Sequence, residues 1–150
     1  MDSQGMPVIV CGRREEIGRV VADHLQPDYE AVVHFVMTPE AGVDELPLVL
    51  QGIAPGSVAS NVGSGNVVKG ARAVILGGGY DDDNYAMMRE AVEKARLAQT
   101  PVWLRADLSI PAPPPGPEYG KAVVGRVREA LFKLGQEGKL AGGDDGLYWY

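Results

Sequence analysis

Four short apolar runs, rich in β-branched residues, alternate along the chain with segments whose apolar residues recur at helical spacing. The runs occupy residues 7–11, 31–37, 71–76 and 101–105. Such alternation is the pattern of βα units, in which each helix crosses over a parallel sheet. It therefore predicts an α/β domain of three layers, with four parallel strands and helices on both faces of the sheet.

Within this class, the pattern fits a Rossmann-like or flavodoxin-like fold with strand order 3-2-1-4 or 2-1-3-4. The second run is apolar at every position except His34. We therefore expect this run to be covered on both faces and to lie centrally in the sheet. His34 itself is expected to be a core or edge histidine.

The helices are predicted from apolar spacing and from the residues that favour helix ends. Three of them cover residues around 17–25, 82–97 and 119–133. A short further helix is predicted over 48–53, with Asp44 as its N-cap and Pro47 in its first turn. The glycine-containing loop 54–70 is expected at the amino edge of the sheet, unless it folds back around the strands.

Length, charge and cysteine content limit the class of protein. A chain of 150 residues suits one domain, and a net charge of −6 without a Lys/Arg block makes nucleic acid an improbable partner. The apolar runs are far shorter than the roughly 20 residues of a membrane helix. With a single cysteine and no secretory signal pattern at its start, the chain is expected to be cytoplasmic.

Glycine is over-represented, at 20 of 150 residues, against a usual share of about 7%. In doubly wound sheets, ligands bind outside the carboxyl ends of the strands, where the winding reverses. We therefore expect the functionally important glycines in the turns that follow the first and third strands. These are Gly12, Gly77, Gly78 and Gly79, with Gly18 supporting the first helix.

The turn after the first strand reads CGRREEIG over residues 11–18. It resembles the dinucleotide-binding start of the short-chain dehydrogenase/reductase family, whose pattern is Thr-Gly, three residues, then Gly-Ile-Gly. Gly12, Ile17 and Gly18 match, whereas Cys11 stands for the threonine and Glu16 for the middle glycine. Glycines in such a turn let a pyrophosphate approach the N-terminus of the helix. A turn whose glycines serve packing alone is an equally open alternative.

The resemblance implies an NADP-like cofactor. Arg13 and Arg14 are similar to the basic residues with which NADP-using relatives hold the extra phosphate, and Thr38 stands at the tip of the second strand as a further cofactor contact. The resemblance does not extend to that family's catalytic Tyr and Lys four residues apart, because Tyr119 is followed by Lys121. Hydride transfer by that pair is therefore not expected.

The turn after the third strand combines three glycines with Tyr80 and the acidic residues 81–83. The carboxylates are first expected to cap the next helix and to suit its dipole. The alternatives are acid/base catalysis, for which Tyr80 and Asp81 are the candidates, and a Mg²⁺ site. Neither the cysteine nor the histidines have zinc-ligand spacing, so no metal is assigned.

Arg105 and Asp107 follow the fourth strand at the same edge. Arg105 is a candidate for binding a substrate carboxylate or phosphate, although pairing with Asp107 or with the acids near Asp81 is the stronger expectation. Asp107 is a candidate acid/base group. The prolines of 111–117 are expected to form a semi-rigid wall beside them.

The chain ends in Tyr148, Trp149 and Tyr150 after a glycine-rich stretch. We expect these aromatic residues to dock on the domain itself or on a partner subunit, which allows a homodimer; a free tail is the alternative. Three functions remain open. The leading one is binding of a nucleotide or another anionic small molecule; the others are a cofactor-independent lyase, isomerase or cyclase, and a non-catalytic module that binds a partner through its aromatic tail.

Overall fold

A computed structural model describes residues 6–25, 29–55, 71–98, 100–114, 116–140 and 146–150, with the main chain alone for 29–34. Five parallel strands and four helices alternate along these residues. Their bounds are β1 (Met6–Cys11), α1 (Glu15–Leu25), β2 (Tyr29–Val36), α2 (Pro39–Val49), β3 (Ala73–Leu76), α3 (Asp82–Lys94), β4 (Val102–Arg105), α4 (Pro117–Gln136) and β5 (Leu147–Trp149).

The strands form one sheet in the order β2-β1-β3-β4-β5, and every pair is parallel. This is the second of the two predicted orders, with one strand added beyond β4. The winding reverses between β1 and β3, because β2 lies on one side of β1 while the later strands extend from the other. Most of the predicted loop 54–70 lies outside the described residues.

The fifth strand corrects the prediction of four. Residues 147–149 pair in parallel with β4, and Trp103 N–H donates to the Gly146 carbonyl while Tyr150 N–H donates to that of Arg105, each at 2.9 Å. The aromatic tail therefore docks on this domain as a fifth strand, which follows α4 and pairs with β4. Three residues after a glycine-rich stretch are too short to show a strand periodicity in the sequence.

The second strand is at the edge of the sheet, so the expectation of a central position was wrong. It pairs with β1 alone among the described strands. Phe35 and Val36 are nevertheless both buried, in the apolar clusters on opposite faces of the sheet. Apolar side chains on both faces reflect cover by helices on both sides, and this cover does not require a neighbouring strand on each edge.

The core has two halves, one on each face of the sheet. Val8 and Val10 of β1 pack with α1 and α4, whereas Ile9 and Cys11 pack with α2 and α3. Successive strand residues point to opposite faces, so one strand supplies both halves. The result is the three-layer arrangement that the sequence predicts.

The second helix differs from the prediction of 48–53 capped by Asp44. Its N-cap is Thr38, whose hydroxyl accepts from the Ala41 N–H at 3.0 Å, and Pro39 follows in the first turn. Proline is favoured there, because that N–H has no partner within the helix. Pro47 instead lies in the last turn of α2 and does not start the helix.

Helices α1 and α4 pack closely through Gly120. A Cβ atom built on Gly120 would lie 2.8 Å from Cγ1 and 3.1 Å from Cβ of Val20, so the two helices touch where α4 has no side chain. Among the described helices, none has the length and apolar character needed to cross a membrane.

We predict opposite effects for two Gly-to-Ala substitutions in α4. Gly120→Ala lowers the free energy of unfolding by about 1–3 kcal/mol, because the added methyl group overpacks the contact with Val20. Gly125 is exposed with open space around its Cα, so Gly125→Ala raises the free energy of unfolding by about 0.5–1 kcal/mol through helix propensity. Chemical denaturation measures both, and equal effects of the two variants would contradict the packing described here.

Candidate functional site

A cleft of ≈ 270 Å³ opens at the carboxyl ends of β1 and β3, on the face that carries α1 and α4. It lies where the winding of the sheet reverses, the position at which doubly wound domains bind ligands. Sixteen residues line it: Val10, Cys11, Gly12, Arg13, Arg14, Ile17, Gly18, Val21, Phe35, Ile75, Gly77, Gly78, Gly79, Tyr119, Val123 and Tyr150.

The interior of the cleft is apolar, whereas its rim is made of turns. Val10 and Ile75 come from the sheet, and the first turns of α1 and α4 contribute Ile17 and Tyr119. The rim consists of the two glycine-containing turns that the sequence singles out. Eight of the nine predicted cofactor-binding residues therefore line one cleft: Gly12, Arg13, Arg14, Ile17, Gly18, Gly77, Gly78 and Gly79.

The two turns are joined through the main chain. Gly77 N–H donates to the Cys11 carbonyl at 2.8 Å, and Gly12 N–H donates to the Val36 carbonyl at 2.9 Å. A Cβ atom on Gly77 would lie 3.3 Å from that Cys11 oxygen, a backbone atom that has little freedom to move. Glycine at position 77 thus lets the turn after β3 approach the turn after β1.

Gly12 and Gly18 make room for the ring of Phe35. A Cβ atom on Gly18 would lie 2.6 Å from the ring, and one on Gly12 would lie 3.2 Å from it. Packing thus accounts for both glycines, as the alternative interpretation of this turn expects. The same packing fixes Phe35 as a wall of the cleft.

Arg13 bridges the two turns. Its Nε donates to the Gly79 carbonyl and its Nη2 to Asn84 Oδ1, both at 3.2 Å, and its guanidinium lies 4.9 Å from the centre of the Tyr80 ring. A Cβ on Gly79 would lie 2.8 Å from Arg13 Cγ, so glycine there admits the arginine side chain. Arg13 is therefore occupied in holding the rim together.

Arg14 is the more available cation at the rim. Its side chain is 57% exposed, and its ion pair with Glu16 spans 3.8 Å. Exposed pairs of this kind contribute little to stability, so the guanidinium can leave Glu16 for a bound anion. The predicted catalytic and substrate-binding residues, Tyr80, Asp81, Arg105 and Asp107, do not line the cleft.

Thr38 is the one predicted cofactor residue that does not line the cleft. It stands at the tip of β2, as expected, and its hydroxyl caps α2 by accepting from Ala41 N–H. Capping by Thr38 contributes typically about 1 kcal/mol to helix stability. Its place in the structure is explained by this cap.

Tyr80, a predicted catalytic residue, is buried in the apolar cluster on the α2/α3 face and does not line the cleft. Its hydroxyl is a donor to two main-chain carbonyl oxygens, that of Gly12 at 3.1 Å and that of Val36 at 3.2 Å. Burial raises the pKa of Tyr80 well above its ordinary value, and the neighbouring Cys11 raises it further. The hydroxyl is therefore protonated and secures the turn after β1.

Asp81 caps α3 as the first of the sequence interpretations proposes. Its carboxylate accepts from Asn84 N–H at 2.8 Å, and Asn84 Oδ1 accepts in return from Asp81 N–H at 3.1 Å. This is a reciprocal capping box. These contacts explain Asp81 as a capping residue. Its role in acid/base catalysis stays a prediction.

Arg105 makes the structural pairing that the sequence favours over substrate binding. Its Nη1 donates to Asp82 Oδ1 at 2.7 Å, and Nη2 donates to the Tyr80 carbonyl at 3.3 Å. Its guanidinium lies 5.2 Å from the centre of the Tyr85 ring and 5.0 Å from that of Trp149. The side chain is 11% exposed and ties β5 to α3 on the face opposite the cleft.

Asp107 organises the loop after β4. Its carboxylate accepts from the Ser109 hydroxyl at 2.6 Å and from Ser109 N–H at 3.0 Å. These hydrogen bonds lower the pKa of Asp107 below its ordinary value. The carboxylate does not line the cleft, and its predicted catalytic role stays a prediction.

Three aromatic residues of the cleft are absent from the sequence-based site: Phe35, Tyr119 and Tyr150. Tyr150 is buried, its hydroxyl donates to the Leu76 carbonyl at 2.7 Å, and its main-chain oxygen accepts from Arg126 and from Asp107 N–H. The aromatic character of the tail was visible in the sequence. Its position in the cleft follows only from β5 pairing beside β4.

The Cys11 thiol is unreactive by environment. Cys11 is fully buried on the α2/α3 face, and burial, followed by the charge of Glu45, raises the pKa of the thiol well above its ordinary value. It is therefore a packing residue, as the sequence favours. Within the described part of the chain, no three His, Cys, Asp or Glu side chains gather as a metal-binding group.

The fold and cleft thus define an α/β protein with a candidate ligand site at the winding reversal of a parallel sheet. No family model and no solved structure matches the chain. Kojic acid related protein 6 of Aspergillus oryzae (strain ATCC 42149 / RIB 40) is 37% identical to it over 141 residues, which cover 91% of this chain and 82% of the relative. The chain belongs to the family of that protein.

We predict that Cys11 resists thiol reagents in the native state and that ionisation of its thiol affects stability only in alkali. A disulfide reagent at pH 8 reacts at least about 100-fold more slowly with native than with unfolded protein. Above the ordinary thiol pKa of 9.0, the unfolded chain loses this proton and the native chain keeps it, so the Cys11 contribution to stability falls as pH rises. Rapid labelling of folded protein would contradict this burial.

Proposed function

We propose that the protein binds a nucleotide or another anionic small molecule in the cleft between the turns after β1 and β3. The observation that carries the proposal is the position of the cleft. It lies at the winding reversal of the sheet, between two glycine-containing turns. Doubly wound domains bind their ligands at the winding reversal, and this analogy at the level of the fold supports a ligand in the cleft.

The charge at the rim supports an anionic group on the ligand. Arg14 is exposed and weakly paired, so a phosphate or carboxylate can take the place of Glu16 as its partner. A guanidinium can donate two parallel hydrogen bonds to such a group. Arg13 contributes indirectly, because its contacts with Gly79 and Asn84 hold the second turn against the first.

The finer class that we propose is a Rossmann-like or flavodoxin-like domain, and NADP is one candidate ligand. The Gly12, Ile17 and Gly18 pattern supports it through the resemblance to dinucleotide-binding turns. The name of the Aspergillus oryzae relative refers to kojic acid, so kojic acid belongs among the compounds to be tested. We propose a small molecule as the binding partner, and we propose neither a nucleic acid nor a membrane.

Calorimetric titration with NADP, NAD, ATP, AMP and kojic acid tests the proposal. We predict that at least one of the anionic compounds binds and that Arg14→Ala weakens its binding about tenfold or more, as expected for a lost hydrogen bond to a charged group, about 1.5–3 kcal/mol. Arg19→Ala is the matched control, because Arg19 is exposed on α1 and pairs with half-buried Glu15 at 3.6 Å.

Two results with the anionic compounds would contradict the proposal. One is a failure of every anionic compound to bind, and the other is an equal loss of affinity in the Arg14 and Arg19 variants. Circular dichroism of both variants checks that they are folded. An affinity for kojic acid that is unaffected by Arg14→Ala would show a ligand held without the proposed anion contact, and would count against an anionic class.

A further inference from the structure

The size of the cleft limits how much of a ligand it can hold. Its volume of ≈ 270 Å³ falls just below the range of about 300–1,000 Å³ that is usual for pockets enclosing most of a drug-sized molecule. One aromatic base, with a single or a fused ring, therefore fits within the cleft. A dinucleotide has two bases and two riboses, so at least one half of it would lie outside.

The apolar walls include aromatic side chains that are fixed in place. Phe35 is buried, and its ring lies against Gly12 and Gly18. Tyr150 is buried, and its hydroxyl is bound to the Leu76 carbonyl at 2.7 Å. Aromatic rings pack favourably at offset or edge-to-face geometry, and rings that are already ordered lose little entropy when a second ring binds.

Tyr119 provides a polar group at the edge of these walls. Its hydroxyl has no hydrogen-bond partner within the described residues, in contrast to those of Tyr80 and Tyr150. A Cβ atom on Gly78 would lie 3.4 Å from this hydroxyl and 3.1 Å from Leu108 Cδ2. The hydroxyl therefore lies beside the glycine turn, where it can donate to, or accept from, a ligand atom in the cleft.

Resting on the proposed function, we propose that the cleft takes one heteroaromatic base, with a single or a fused ring, attached to one anionic group in a ligand of mononucleotide size or smaller. The ring enters the space bounded by Phe35, Tyr150 and Tyr119, while Arg14 contacts the anion. The hydroxyl of Tyr119 binds a heteroatom of the ring, so Tyr119 is the residue that determines specificity.

Matched compounds separate the ring from the anion. AMP, nicotinamide mononucleotide and ribose 5-phosphate share a phosphorylated ribose, but the last has no ring base. We expect the tighter of the two mononucleotides to bind at least about tenfold more tightly than ribose 5-phosphate in calorimetric titration. We also expect NAD, which contains both, to bind within about threefold of that mononucleotide, because only one base enters the cleft.

Substitution of Tyr119 tests its role. Tyr119→Phe keeps the ring and removes the hydroxyl, so the affinity for the mononucleotide should fall about fivefold, as for one lost neutral hydrogen bond, with no change for ribose 5-phosphate. Tyr148→Phe is the control, because Tyr148 does not line the cleft. A merely structural role of Tyr119 would change both affinities or neither.

The outcomes distinguish this inference from the proposed function. If ribose 5-phosphate binds as tightly as both mononucleotides and Arg14→Ala weakens it, the anion site stands and the ring inference is overturned. If NAD binds more than about threefold more tightly than the tighter mononucleotide, the limit to one base is wrong. If none of the compounds binds, both proposals fail.

Discussion

The contact between the turns after β1 and β3 is the constraint on which the rest of the structure depends. Gly77 N–H reaches the Cys11 carbonyl, and Gly12 N–H reaches that of Val36, so the ends of three adjacent strands are joined through the main chain. The buried hydroxyl of Tyr80 adds a side-chain donor to the carbonyls of Gly12 and Val36. This junction fixes the rim of the cleft before any ligand is bound, which lowers the entropic cost of binding.

The last strand connects the two faces of the sheet. Trp149 is 53% exposed and lies beside Arg105 on the α2/α3 side, whereas the next residue, Tyr150, is buried in the α1/α4 cluster and lines the cleft. Alternation of side chains along a strand explains this division. Arg105 thus stabilises β5, the strand that places Tyr150 in the cleft, although Arg105 does not itself line the cleft.

The sequence predicted the local elements well, because apolar spacing and caps are local. The βα alternation, the start of α3 at Asp82 and the cluster of glycines at one edge all followed from it. It did not predict β5, the edge position of β2 or the capping of α2 by Thr38. Because proline favours the first turn of a helix, Pro47 placed the start of the predicted helix too far along the chain. The directions of Arg13 and Tyr80 depend on contacts with residues more than 60 positions away, which no local pattern contains.

A ligand is predicted to bind in the cleft at the winding reversal of the sheet. The most direct measurement is a two-dimensional amide NMR spectrum recorded during titration with the tightest mononucleotide. Shifts concentrated at the amides of Gly12, Gly18, Gly77, Gly78 and Gly79 are the predicted result. Shifts concentrated instead at the smaller pocket formed by Arg89, Arg96 and Trp103, with the glycine amides unchanged, would contradict the claim.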